Sequence, residues 1–536
     1  MRRGDLILVE RVGRRSARRN GWAHAARGAA AAIALAWVAA GCTSTPDHST
    51  TGQPPAAPGT LRVLASSELS DMTPVFDQIR KDTGITIRPT YMGTLDAVDL
   101  LAQGKADGRY DALWLSSNDY LRLRPDAAEK VVSETSIMSS PVAIGVRTAT
   151  VTALGWRPDK VTWSQIEQAV QDGRLTYGMT DPARSNSGFS TLISVASALS
   201  GAQSALTDAD VTKAAPRLKE FFKGQKLTSG SSGWLAQAYQ RRGNVDALLN
   251  YESVLKGIPG LTVIRPSDGV VTADYPLTSL ASSDATTREN VRRVTTDLRT
   301  DALQKLITTR THRRPVVTSV PPASGLDTSR RRELPFPGSR SVADGLLDSY
   351  ENKLRRPSRT VYVLDTSGSM AGDRLSRLKK ALTDLTGDFR QREEVTLMPF
   401  GSAVKSVKTH VVSPGDPKAG LDAIRADTKA LGADGNTAIY TSLEKAYEHL
   451  GAGGDTFTSI VLMTDGENTT GAKAKEFDGF YRQLPAAQRE IPVFPILFGD
   501  SDKAELQHIA DLTGGRLFDA QQGSLDGAFE EIRGYQ

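Results

Sequence analysis

This 536-residue sequence predicts an α/β fold with mostly parallel sheets, and three observations carry that prediction. Residues 61–115 alternate strand and helix patterns as β-α-β-α-β, with Ser, Thr or Gly at every strand end. Thr360-Val361-Tyr362-Val363-Leu364 is apolar and β-branched, as a strand buried on both faces should be. It runs into Asp365-Thr366-Ser367-Gly368-Ser369, and a second buried run, Ser459 to Thr464, ends on Asp465-Gly466. Open α/β sheets carry their ligands at such carboxyl ends of strands.

Taken from the start, Met1 to Arg27 is basic, with eight Arg against Asp5 and Glu10. Gly28 to Ala40 is nearly unbroken apolar sequence, too short to span a bilayer, and ends on Ala39-Ala40-Gly41-Cys42. Residues 1–41 therefore read as a secretory signal. Cys42 is the only cysteine, so no disulfide forms within the monomer. A sole Cys after a signal core resembles a bacterial lipobox, which implies a diacylglycerol anchor on Cys42 and a surface lipoprotein held to the membrane. Ala39 departs from the Leu more usual there, and an ordinary signal with a free Cys is the alternative. Arg18-Arg19 lacks the residues that follow a twin-arginine pair. Net charge is +5 for the whole sequence but −1 after Cys42 exposure, at 58 basic against 59 acidic residues. The basic balance belongs to the leader and does not point to nucleic acid. Residues 42–59 are rich in Ser, Thr, Pro and Gly and read as a flexible tether.

The first folded segment begins at Thr60. Leu61–Ala65 reads as a strand. Met72, Val75, Phe76 and Ile79 follow at helical spacing. Ile85–Tyr91 is the next strand, then a helix from Gly93-Thr94 through Leu101. Tyr110–Leu115 is the third strand, ending on Ser116-Ser117. Pro141–Arg147, Tyr177–Pro182 and Asp246–Glu252, the last read as a late strand, follow in order, and Ser185-Asn186-Ser187-Gly188 opens a helix, Thr191 to Leu199. Gly269–Leu277 and Arg313-Arg314-Pro315-Val316 close the series. In this order the segments resemble bacterial extracellular solute-binding proteins, whose two lobes clasp molybdate, sulfate or similar solutes, over roughly Thr60 to Val317. The resemblance implies a domain at 60–320 with a cleft lined by Ser66, Ser67, Gly93, Thr94, Ser117, Ser187, Gly188 and Tyr251. Each Ser or Thr can equally be an ordinary helix cap. Glu252 and Asp274 would be awkward beside an anion.

Residues 321–355 break periodicity with Pro, Gly and charge, as in Pro321-Pro322 and Leu334-Pro335-Phe336-Pro337, and read as a linker. Val342–Leu354 reads as a short helix. Arg330-Arg331-Arg332 with Arg355-Arg356 reads as solvated charge, with an anionic docking patch as the alternative. Beyond it, strands are expected at Glu394–Phe400, Ser406–Val412, Ile491–Phe498 and Arg516–Phe518. Helices are expected at Arg374–Arg390, Ala438–Leu450, Ala472–Leu484, Lys503–Leu512 and Leu525–Ile532.

Asp365, Ser367, Ser369, Thr437 and Asp465 stand on three loops as short, hard oxygen donors of the kind Mg²⁺ prefers. The motifs resemble those of the von Willebrand factor A domain, over roughly Arg356 to Gln536. That resemblance implies a Rossmann-like domain at 356–536 with a metal-ion-dependent adhesion site. Its five residues would hold Mg²⁺, or Mn²⁺ or Ca²⁺, and a protein partner would complete the shell with a carboxylate. The alternative is that these loops only cap helices. No Gly-x-Ser-x-Gly elbow, His-Glu-x-x-His pair or Walker-type loop is present, so no catalytic residue is assigned and a binding protein is expected rather than an enzyme. A Mg²⁺-dependent hydrolase and a solute receptor feeding an uptake permease are the competing readings.

Overall fold

A computed structural model describes residues 59–535 apart from 388, 391, 452–453 and 522–524. The signal at 1–41, Cys42 and the tether up to residue 58 lie outside the described residues. No helix among the described residues is long and apolar enough to cross a membrane.

Three sheets organise residues 60–519. The first has the strand order Thr86–Met92, Thr60–Ser66, Ala112–Trp114, Pro276–Leu280, Val131–Ser136. Its first three strands are parallel and the last two join antiparallel. The second is built around Met138–Arg147, which pairs with Thr272–Ala273, Ala247–Tyr251, Leu261–Ile264 and Arg314–Pro315. Tyr177–Thr180 and Gln225–Ser229 continue it beyond Ala247–Tyr251. The chain passes between these sheets at residue 137, at 274–275 and at 312–313. Two of those crossings carry left-handed backbone on non-glycine residues, Tyr275 at φ 45° and His312 at φ 58°. Such conformations persist only where packing enforces them. Here the fully buried Arg313 guanidinium lies 5.0 Å over the Tyr275 ring and makes two 2.8 Å bonds to Asp71. Gly269–Leu277, expected as the return crossing, holds the short strand Thr272–Ala273 and the start of Pro276–Leu280, with the passage between sheets at Asp274-Tyr275.

The third sheet has the order Lys408–Val412, Glu393–Phe400, Ser358–Asp365, Phe457–Thr464, Val493–Leu497, Phe518–Asp519. All its pairs are parallel except the edge strand Lys408–Val412. Ser358–Asp365 is central, and its alternate side chains feed two cores. Tyr362 and Leu364 meet helices Asp373–Leu385 and Leu525–Arg533 on one face. Val361 and Val363 meet Ile439–Leu450, Ala474–Gln483 and Lys503–Thr513 on the other. Both faces being covered explains the unbroken apolar run that predicted the strand.

The region read as a solvated connector is packed instead. Leu334, Ala343, Leu346, Leu347 and Tyr350 join the apolar core of the first two sheets. Tyr350 Oη donates to the buried Gln225 Oε1 at 3.1 Å, and the Val342–Leu354 helix is Arg340–Ser349 followed by a π turn. Val342, Ala343, Leu346, Leu347 and Tyr350 recur at helical spacing, so the sequence showed the helix but not the surface that buries it. Helix Asp373–Leu385 stops five residues short of Arg390, and helix Pro417–Ala430 had no counterpart in the sequence reading.

Candidate functional site

Asp365, Ser367, Ser369, Thr437 and Asp465 stand at the carboxyl ends of two neighbouring central strands and on the loop between them. Asp365 ends its strand, and its Oδ1 accepts from Ser367 N at 2.8 Å while Oδ2 accepts from Thr464 Oγ1 at 2.6 Å. The Ser367 and Ser369 hydroxyls lie 3.0 Å apart, and Ser369 Oγ donates to Asp465 Oδ1 at 2.8 Å. The loop carrying Thr437 is tied to the first loop by Asp434 N to Thr366 O and Gly368 N to Gly435 O, both 2.9 Å. It is tied to the third by Thr469 N to Thr437 O at 2.9 Å and Ile439 N to Asn468 Oδ1 at 2.8 Å. Every pair among the three loops is thus bonded. Asp365, Ser367, Thr437 and Asp465 are buried while Ser369 is exposed, so the cluster opens to solvent on one side.

Burial pushes the Asp365 carboxyl up, and the charge of Asp465 adds to it, against the bonds from Thr464 and Ser367. Two carboxylates and adjacent hydroxyls in one pocket of loops form a hard donor set, and a divalent cation fits it. One cation of the chain already reaches the set. Arg374, near the start of helix Asp373–Leu385, bonds Asp465 Oδ2 at 2.6 Å and Asp500 Oδ2 at 2.7 Å. Sequence reading missed Arg374, Asp500 and Thr464, although Thr464 stands beside Asp465 at a strand end, where the other donors were found. Among the described residues no group of three or more His, Cys, Asp or Glu side chains that could hold a metal ion is found, here or elsewhere, and this donor set has only two carboxylates beside its hydroxyls.

The second candidate site lies between the first two sheets. Thr94 Oγ1 pairs with Ser66 Oγ at 2.8 Å and Ser116 Oγ at 2.9 Å. Across from them, Ser187 Oγ pairs with Thr180 Oγ1 at 2.8 Å and accepts from Ser232 Oγ at 2.7 Å. The buried Tyr251 hydroxyl accepts from Asn186 Nδ2 at 2.9 Å. The lobes touch directly, since Leu95 N donates to Arg184 O at 2.9 Å and Gly233 N to Ser67 Oγ at 3.1 Å. A Cβ on Gly93 would stand 2.4 Å from Arg184 O, and one on Gly188 2.4 Å from Thr180 O, so both glycines serve close approach. Of the eight residues expected in the cleft, Ser117 does otherwise: its hydroxyl accepts from Asp119 N at 3.1 Å, a local turn. Glu252 and Asp274 turn away, Glu252 to Arg314 and Asp274 to Ser136. Ser116, Thr180, Asn186 and Ser232 were missed. The run Gly230-Ser231-Ser232-Gly233 carries the same strand-end signature that found the rest. Glu68, beside Ser67, is buried, and burial pushes its carboxyl up to about 7 against a backbone bond and the Arg313 charge.

The C-terminal sheet's domain is seated against the loops of this cleft. Arg390 bonds Asp181 at 2.6 Å and Glu351 at 2.7 Å. Burial alone would raise the Asp181 carboxyl, but Arg390, Arg355 and Arg184 hold it below the ordinary carboxylate range. Arg533 bonds Glu393 at 2.5 Å. Gly534 approaches Gly230 so closely that a Cβ on it would stand 2.2 Å from the Gly230 Cα.

Residues 61–309 match the family model of the bacterial extracellular solute-binding protein, and residues 360–467 that of the von Willebrand factor type A domain. The chain is 31% identical over 194 residues to inter-alpha-trypsin inhibitor heavy chain H1 of Bos taurus, covering 34% of this chain and 21% of that one. It is 28% identical over 128 residues to the Sus scrofa heavy chain H1, covering 23% and 14%. The chain thus spans about a fifth or less of the curated relatives it matches. Among solved structures it resembles the periplasmic binding protein AfuA from Actinobacillus pleuropneumoniae at 11% identity and TM-score 0.46, covering 56% of this chain and 99% of that one.

Proposed function

We propose that this chain, which joins a bacterial extracellular solute-binding domain to a von Willebrand factor type A domain, acts outside the cytoplasm as a metal-dependent protein-binding receptor. Ser367, Ser369 and Thr437 would hold a divalent cation with Asp365 and Asp465. The cation supplies a coordination position for a carboxylate of a protein partner. The observation that supports this reading is the closed triangle of hydrogen bonds among the three loops, which sets both carboxylates and the serine hydroxyls on one site. This chain's residues orient the set. Thr464 and the Ser367 amide fix the Asp365 carboxylate, and Ser369 fixes Asp465. No side chain of the cluster stands free as a general base, which supports binding rather than catalysis. Cys42 would carry the membrane anchor.

Mg²⁺ titration of the wild type and of Asp365→Ala by calorimetry, with partner capture in EDTA, tests the reading. Saturable Mg²⁺ binding lost in the variant is expected. Equal binding by both would sink it. The hydroxyl-lined cleft supports a small-solute role as well, and its contacts across the lobes correspond to a closed state. A thermal-shift panel of oxyanions and sugars checks that role, with a rise in Tm expected for the ligand.

A further inference from the structure

A cavity of about 260 Å³ lies on the seam between the second sheet and the C-terminal domain, apart from both sites above. We propose that it binds a small, multiply charged, phosphate-bearing anion. Five cationic side chains line it, Lys226, Arg241, Arg242, Arg356 and Arg516, against a single lining carboxylate, Glu490.

The pairing of these cations is uneven. Lys226 and Arg356 share Asp455, at 3.2 and 2.8 Å, and Asp455 is 77% exposed. Arg516 is paired with Glu531 and stacks 4.0 Å over the Trp234 ring. Arg241 and Arg242 instead donate to backbone carbonyls, of Gly515 at 2.7 Å and Glu490 at 2.5 Å, and neither has an ion-pair partner among the described residues. They end helix Ser232–Arg242, where the helix dipole favours positive charge. That accounts for cations at this place, where Arg241 is exposed and Arg242 half-buried. Burial lowers the Arg242 guanidinium's affinity for its proton, and Glu490 opposes this only through space. Arg242 is bonded only to a backbone carbonyl and has no carboxylate partner among the described residues, and an anion in the cavity would supply the missing negative charge. The Asn244 Oδ1 on the cavity wall is buried without a hydrogen-bond partner. Turning that amide would present its NH₂ to a ligand.

The guanidinium fork matches phosphate oxygens two at a time, whereas a lone carboxylate would leave most donors unused. Trp234 and Phe457 wall the same cavity, and each carries a guanidinium over its ring, Arg516 at 4.0 Å and Arg356 at 5.4 Å. The lining comes from both domains. Its occupant would therefore bind them together, and helix Ser232–Arg242 would link it to the cleft, since Ser232 at its start belongs to the hydroxyl cluster.

Calorimetric titration of the full chain with inorganic pyrophosphate, at constant ionic strength and in EDTA, tests the proposal. EDTA separates this site from the metal loops. One saturable site is expected. Arg241→Gln with Arg242→Gln should weaken it at least tenfold, and Lys418→Gln, an exposed residue on helix Pro417–Ala430, which contributes nothing to the cavity wall, should leave it unchanged. Glu490→Gln, which removes the opposing carboxylate, should tighten binding several-fold. Should the double variant fail to fold, the Glu490→Gln titration decides by itself. No saturable binding, undiminished affinity in a folded double variant, or weaker binding by Glu490→Gln would each overturn the assignment.

Discussion

Replacing Arg390 by Met should destabilise the protein by about 3 kcal/mol, the low end of the ~3–5 kcal/mol range for breaking a buried ion pair. The side chains of Arg390 and Asp181 are 6% and 3% exposed and 2.6 Å apart, so water cannot replace the lost partner. Arg355 and Arg184 still act on Asp181, which keeps the loss at the low end. The pair's net contribution is smaller than this, because both charges were taken from water to form it. Asp181→Leu with Arg390→Met should therefore recover part of the loss. Urea denaturation of the wild type, both single variants and the double variant measures this. The depressed Asp181 carboxyl contributes stability that is present above the ordinary carboxylate pKa and lost as pH falls through its lower folded value. The gap between wild type and Arg390→Met should accordingly narrow on acidification below about pH 4. A double variant as unstable as the two singles summed, or a gap that widens in acid, would refute the charge argument.

Glu68→Gln should alter the pH profile in the opposite sense. The Glu68 carboxyl is raised from 4.5 to about 7, so its stabilising part is full below pH 4.5 and fades as pH rises through about 7. Above that, the wild type carries a cost of about 3 kcal/mol that the variant lacks, visible as a smaller alkaline loss of stability in melts from pH 5 to 8. Gly93→Ala should hold the lobes apart, because its methyl would meet Arg184 O at 2.4 Å and Gly230 O at 2.9 Å. Small-angle scattering should show a larger radius of gyration, with solute response lost. Arg374→Ala should raise Mg²⁺ affinity roughly three- to tenfold by freeing Asp465 Oδ2, about 1 kcal/mol for a partly exposed pair. Calorimetry that finds weaker binding would mean that Arg374 supports the donor set instead.

Much of this arrangement was legible along the chain. Runs such as Val361–Leu364 and Ile460–Met463 are apolar because both sheet faces are covered, and the donors follow them at once. Both domains carry small hydroxyl residues at strand ends, which is why Ser66, Thr94 and Ser187 were expected in one site and Asp365 and Ser369 in the other. Ser117 shows the limit of that pattern, since a serine that closes a local turn and a cleft serine look alike until the neighbouring strands are placed. The connector misled because the Pro and Arg on either side read as solvent-exposed, although Val342, Leu346 and Tyr350 already stand one helical turn apart, and which surface covers that face is settled only by packing.

Sequence order alone set the strands, the two domains' characters and the loops that hold oxygen donors, because local pattern and covalent adjacency encode them. Contacts between residues far apart in the chain were decided only by the tertiary structure. Asp181 meeting Arg390, Gly230 meeting Gly534, and Arg374 closing on Asp465 depend on how packed layers bring their edges together. Charge has no periodicity that announces its partner, and the physical reason a lone Arg becomes an ion pair or a ligand site is the dielectric around it, which only the folded chain creates.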